Sequence, residues 1–162
     1  MERRVMPISI DMASDYMIIP IEKVMKEKTM KLTSRSEYAL LSLIYLSRID
    51  VGSFVSVQTI AAAQGIPPKF LEQILLILKR AKIVRSQRGQ AGGYALSRSP
   101  EQVNLAEIIR LFDGALAPTE SVSVNFYEST PIEKERSLLA VFRDIRDYIA
   151  EKLENTTLAD VS

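Results

Sequence analysis

The chain has 162 residues, 47% of them hydrophobic and 25% charged, with a formal net charge of +1. These proportions suit a protein able to build its own core, as one domain or one domain with an arm. Cysteine and histidine are both absent, which excludes disulfides, thiolate and imidazole metal sites, haem and iron–sulfur ligation, Cys nucleophiles and any triad with a His base.

No apolar run approaches the roughly 18 residues of a membrane span. Glu2-Arg3-Arg4 leads into a segment broken by Asp11, Ser14 and Asp15, unlike a signal peptide. A cytoplasmic location is expected, and no carboxylate pair or activated nucleophile recommends an enzyme. The small net charge hides a polarity. Residues 31–98 carry ten Lys or Arg against three acids, a net +7, whereas residues 99–162 carry six against twelve, a net −6. A basic block of that size suits a polyanion-binding surface.

At the N-terminus, the stretch 9–21 shows no clean period, and 21–30 suits a weak charged helix. Residues 1–29 are either a flexible arm or the product of a start assigned upstream, with Met30 the natural initiator; the second reading is preferred. The first domain, expected over 30–114, opens with Ser34 and Glu37 three residues later, a capping box that predicts a helix start. Tyr38, Leu41, Leu43, Ile44, Tyr45 and Leu46 supply its apolar content, and residues 50–53 end it. Ser56 caps a short helix over 57–64, stopped by Gly65. Pro67-Pro68 then opens another helix at the position that tolerates proline. In that helix Phe70, Ile74, Ile77, Leu78 and Ala81 are expected to face the core, with Lys69, Glu72, Gln73, Leu76 and Arg80 opposite. Short helix, glycine turn and second helix make a helix-turn-helix, a pattern shared with many helical hairpins.

Two alternating segments, 83–88 and 94–98, flank Gly89-Gln90-Ala91-Gly92-Gly93, a glycine-rich hairpin turn. A hairpin directly after a helix-turn-helix is a wing. Arg88 at its tip, with Arg85 and Arg98 nearby, is a candidate for insertion into a minor groove. The glycines lack the Gly-Lys-Ser/Thr of a phosphate loop. A helix from Asn104 to Asp113-Gly114 follows, then a loop-like stretch, 115–132. The last long helix is expected from about 132 to 153, and the dimerisation helix with its C-terminal tail is assigned to 133–162. Leu138, Phe142, Ile145 and Ile149 give it a coiled-coil-like seam for a second copy. The fold class is mainly α: a winged helix-turn-helix with a small β-hairpin wing and a long C-terminal dimerisation helix.

Met30-Lys31-Leu32-Thr33, Tyr38-Ala39, Gln64-Gly65-Ile66, Phe70-Leu71-Glu72-Gln73-Ile74, Val84-Arg85-Ser86, Arg88-Gly89, Gly92-Gly93-Tyr94 and Leu158-Ala159-Asp160-Val161 occur in order and at the spacings of one family. Over residues 31–161 the chain resembles the Rrf-two family of bacterial winged-helix transcription factors. The resemblance implies a homodimer crossed through its C-terminal helices, with paired winged domains on a palindromic operator in double-stranded DNA. It implies that Glu72 and Gln73 read bases in the major groove, where Gln suits adenine and Glu suits cytosine N4. It also implies that Arg88 and Gly89 bring the wing to the minor groove. Ser34, Arg35 and Tyr38 would lie near the DNA backbone, and Lys69, Lys79 and Arg80 are candidates for phosphate contact.

Two departures stand out. Many members hold an iron–sulfur cluster through three cysteines in the segment equivalent to roughly 119–136, where this chain has none, so no cofactor is expected. Pro67, Lys69 and Leu76 occupy positions where small polar residues are common. Leu76 either touches a thymine methyl or sits half-buried against a neighbouring helix. The expected function is a sequence-specific regulator, a repressor, whose signal is a small-molecule effector at 115–132 or a regulatory partner protein. The alternative is a winged-helix protein-interaction module regulating a partner enzyme.

Overall fold

The computed structural model describes residues 32–89 and 91–162. The arm or misassigned start read over 1–29 lies outside the described residues, as do Met30, Lys31 and Gln90. Among the described residues the α-helices are α1 (Ser34–Ser47), α2 (Val57–Gln64), α3 (Pro68–Arg80), α4 (Leu105–Asp113) and α5 (Arg136–Glu154), with one hairpin, β1 (Val84–Gln87) and β2 (Gly93–Leu96).

Local chemistry sets most of these ends. Ser56 Oγ accepts the Thr59 N–H at 3.1 Å and Asn104 Oδ1 accepts that of Glu107 at 2.8 Å, capping α2 and α4. Gly65 closes α2 in the left-handed region at φ 66°. At α1 the expected Ser34 cap is replaced by Thr33, whose side chain accepts from the Ser36 N–H; Ser34 becomes the first helical residue. Thr33 has a second use that Ser34 lacks, because its hydroxyl also donates to Asp113 at the end of α4. The last helix starts four residues later than expected. Pro131–Lys134 forms a 3-10 turn, and α5 begins only at Arg136.

The core gathers Ala39, Leu43 and Leu46 of α1, Ile60 of α2, and Leu71, Ile74, Leu75 and Leu78 of α3, with Ile83, Val84, Val103 and Ile108. Each such Leu or Ile, fully buried, contributes about 1.5–3 kcal/mol before entropy is counted. The α3 face differs from the one expected. Ile74 and Leu78 are buried as read, but Leu71 and Leu75 join them, while Ile77 and Ala81 are half-buried and Phe70 is exposed. Leu71, Ile74, Leu75 and Leu78 form an i, i+3, i+4, i+7 stripe. The apolar run from Ile74 to Leu78 satisfies more than one helical phase, so periodicity alone did not choose between them.

The wing pairs antiparallel, with Val84 opposite Leu96 and Gln87 opposite Gly93. It is seated by two backbone bonds: Val55 N–H to the Tyr94 carbonyl at 2.9 Å, and Tyr94 N–H to the Val55 carbonyl at 2.8 Å. Gly93 is required at this crossing, since a Cβ there would lie 2.2 Å from the Val55 oxygen. Beyond α5 the chain returns to the same core. Leu105 N–H donates to the Thr156 carbonyl and Leu158 N–H to the Val103 carbonyl, both at 2.9 Å, and Leu158 is fully buried.

At the end of α3, Lys82 N–H donates to Lys79 O and Ile83 N–H to Leu78 O, both at 3.0 Å, a Schellman closure. The left-handed residue it needs is Lys82, at φ 60°. That conformation costs an L-residue about 1–2 kcal/mol, part of which glycine gives back through the entropy of its unfolded chain. Lys82→Gly is therefore expected to stabilise the fold by about 0.5–1 kcal/mol, read as a raised denaturant midpoint at unchanged slope. An unchanged or lowered midpoint would refute the strain at this position.

Candidate nucleic-acid interface

The stripe that buries one side of α3 leaves the other bare. Lys69, Glu72, Gln73, Leu76, Lys79 and Arg80 are all exposed. Lys69 and Gln73, four residues apart, share a face in the first half of the helix. Arg35, in the first turn of α1, joins them: Arg35, Lys69, Phe70 and Gln73 line one notch, with Pro67, Ile74 and Ile77. Tyr38 is half-buried and meets Phe70 edge-on, with ring centroids 5.6 Å apart at 88°. Ser34 is exposed beside Arg35 at the start of α1. Lys79, at the other end of α3, donates to Ser86 Oγ of β1 at 2.6 Å, which leans its ammonium toward the wing.

At the hairpin tip Arg88 and Gly89 are exposed, with Gly89 at φ 107°. The two arginines read beside Arg88 have other employment. Arg85 stacks over the Phe54 ring at 5.0 Å and donates to the Leu96 carbonyl at 3.3 Å. Arg98 lies beyond the base of β2 and pairs with Glu107 of α4 at 2.7 Å. Both are bound into the domain by partners on other elements, which a one-dimensional reading does not contain. Sequence reading also missed Phe70 as an exposed residue, and the competing 71/74/75/78 stripe was the signal that would have revealed it.

Along α5 the expected seam is split. Leu138 and Ile145 are exposed, while Phe142 and Ile149 are half-buried on their own chain. The exposed apolar stripe is Leu138, Val141, Ile145 and Tyr148, spaced three, four and three. Between α5 and residues 114–126 lies a cleft of about 310 Å³, walled by Arg110, Phe126, Arg146, Asp147, Ala150 and Glu154. Its charges are paired within the chain: Arg110 with Glu154, and Arg146 with Asp147 and the Val122 carbonyl. Nearby, the Tyr127 hydroxyl donates to Glu133 at 2.7 Å, a bond that raises its pKa above the usual phenol value.

The family model described as "Rrf2: Iron-dependent Transcriptional regulator" matches residues 32–162. Rv1287 of Mycobacterium tuberculosis, which carries the name of an HTH-type transcriptional regulator, is 37% identical over 134 residues, covering 82% of this chain and 81% of that one. The HTH-type transcriptional regulator CymR of Bacillus subtilis is 30% identical over 133 residues, covering 82% and 90%. Among solved structures, CymR, titled the global cysteine regulator of B. subtilis, superposes with a TM-score of 0.67 at 29% identity over 82% of this chain and 96% of that one. IscR of T. potens gives 0.63 at 28% identity over 82% and 85%. The family's iron finds no fitting donors here. The chain has no Cys or His, and among the described residues no three Asp or Glu stand together as a metal-holding group. Helix-turn-helix, seated wing and a match running from Leu32 to Ser162 lead to one conclusion: this chain belongs to the Rrf2 family of helix-turn-helix transcriptional regulators.

Proposed function

We propose that the protein is a repressor that binds a palindromic operator as a homodimer, with α3 in the major groove and the wing tip at the minor groove. The observation that carries this reading is the bare face of α3. Lys69, Glu72 and Gln73 stand exposed near its N-terminal end, the part of a recognition helix that meets base edges. Gln73 and Glu72 are the base-reading residues, with adenine and cytosine their chemical matches. Arg35, Lys69, Lys79 and Arg80 supply phosphate contact, Ser34 and Tyr38 approach the backbone, and Arg88 with Gly89 enters the minor groove.

The second copy docks on the apolar stripe of α5. Exposed Leu138, Val141, Ile145 and Tyr148 follow a heptad-like spacing, and covering them removes that surface from water. Two-fold symmetry then sets two reading heads about one DNA turn apart, roughly 34–36 Å. The cleft beside α5 is the proposed entry for a small-molecule effector or partner protein, since it adjoins the same helix.

Gln73→Ala is expected to weaken operator binding by about 1–3 kcal/mol and relax specificity at one base pair. Lys69→Ala should weaken all sequences alike and lower the salt slope by about one. Anisotropy titrations on a selected operator and on random DNA measure both, and equal losses on the two DNAs for both variants would defeat the base-reading assignment. In a purified transcription reaction, repression requires less transcript from an operator-bearing template; more transcript, or none of the effect, refutes the repressor role. Leu138→Asp combined with Ile145→Asp should convert the dimer to a species of 18.2 kDa in sedimentation, with helical content retained. A wild-type protein that already sediments at that mass would rule out the homodimer.

A further inference from the structure

Phe70 stands in the first turn of α3, yet 37% of its surface is exposed. Tyr38 of α1 holds the ring edge-on at 5.6 Å, so its orientation is set by α1 as well as α3. Around it lies a notch of about 370 Å³. It is lined by the apolar Pro67, Phe70, Ile74 and Ile77 and by the polar Arg35, Lys69 and Gln73. Apolar side chains beside two cations and an amide match a particular part of duplex DNA. The thymine 5-methyl is the apolar group that base edges present in the major groove, and phosphates flank it on either strand.

We infer that Phe70 is a specificity-determining residue that packs against the 5-methyl of a thymine, one or two base pairs from the base read by Gln73. The inference rests on the proposal that α3 reads DNA, and it adds a base preference which that proposal does not contain. The spacing follows from helix geometry. Residues three apart have Cβ atoms about 5–6 Å from one another on a helix face, and DNA rises about 3.4 Å per base on each strand. Leu76 is the other exposed apolar residue of α3. It sits further from the helix N-terminus and is not among the residues that line the notch, so the methyl is assigned to Phe70.

The operator is first selected by the full-length protein from a random duplex pool. Each thymine of a half-site is then replaced singly by deoxyuridine, which removes the methyl and nothing else. One position within two pairs of the Gln73-dependent base should lose about fourfold in affinity, the worth of one buried methyl-sized group. In Phe70→Ala the ratio of thymine to uracil affinity at that position should fall to about one, and in Leu76→Ala it should persist. With wild-type protein, 5-iododeoxyuridine at the same position should photocross-link to the peptide bearing Phe70, a readout that depends on no variant folding. Uniform tolerance of uracil, with Gln73→Ala still relaxing specificity, overturns the Phe70 assignment alone. So does a methyl effect that survives Phe70→Ala or moves to Leu76→Ala, or a cross-link on another residue. Selection of no sequence at all overturns the DNA-reading proposal and this inference with it.

Discussion

The packing of Leu71, Ile74, Leu75 and Leu78 against α1 and α2 is the contact on which the rest of the molecule depends. A helix turns about 100° per residue. Rotating α3 by one position, so that residues 70, 73, 74 and 77 took the inward places, would turn Leu75 outward and Gln73 inward, leaving an amide in an apolar core and an apolar residue on the surface. Burying an unpaired amide costs about 1–3 kcal/mol, and the lost aliphatic burial adds to it. Four aliphatic side chains therefore decide which chemistry the molecule shows to its surroundings. The wing follows the same logic at one remove, because Val55 at the entry to α2 is also the residue that seats Tyr94 of β2.

Features governed by near neighbours were legible in the sequence. Ser56, Gly65, Pro68 and Asn104 all act at the helix ends where they were read, because a cap or turn involves only the next few residues. The hairpin and its glycine-rich turn were legible for the same reason. Legibility failed wherever a distant partner decides. Thr33 displaced Ser34 as a cap because Asp113, eighty residues on, adds a second bond. Phe70 left the expected core face because three-dimensional packing chose among several phases of one apolar run. Arg85 and Arg98, read as lying near the wing tip, are engaged by Phe54 and Glu107. Within the candidate interface, residue types and order were readable, but which cations are bare and which are engaged was not.

The 115–132 segment shows how order is built without thiols. Ser121, Val122 and Ser123 are buried there. Thr130 donates to Ser121 at 2.8 Å, the Phe126 N–H donates to Ser123 Oγ at 3.0 Å, and Arg146 of α5 reaches the Val122 carbonyl at 2.6 Å. Small hydroxyls satisfy the local backbone and a guanidinium fastens the segment to α5. Hydrogen bonds of this kind are individually modest, about 0.5–1.5 kcal/mol each, so the segment's conformation depends on several holding together.

The return of the chain after α5 carries a mechanical meaning. Asn104 and Thr157 form an antiparallel bridge, and with the flanking bonds of Leu105 and Leu158 they fasten the far end of α5 to the start of α4. The polypeptide from Asn104 to Thr157 is thus a closed circuit, joined covalently through its length and by backbone bonds at its neck. A helix whose C-terminal end is pinned at the neck of such a circuit is not a free lever. Any displacement of α5 must either open the neck or drag α4, and through Asp113 the cap of α1, along with it.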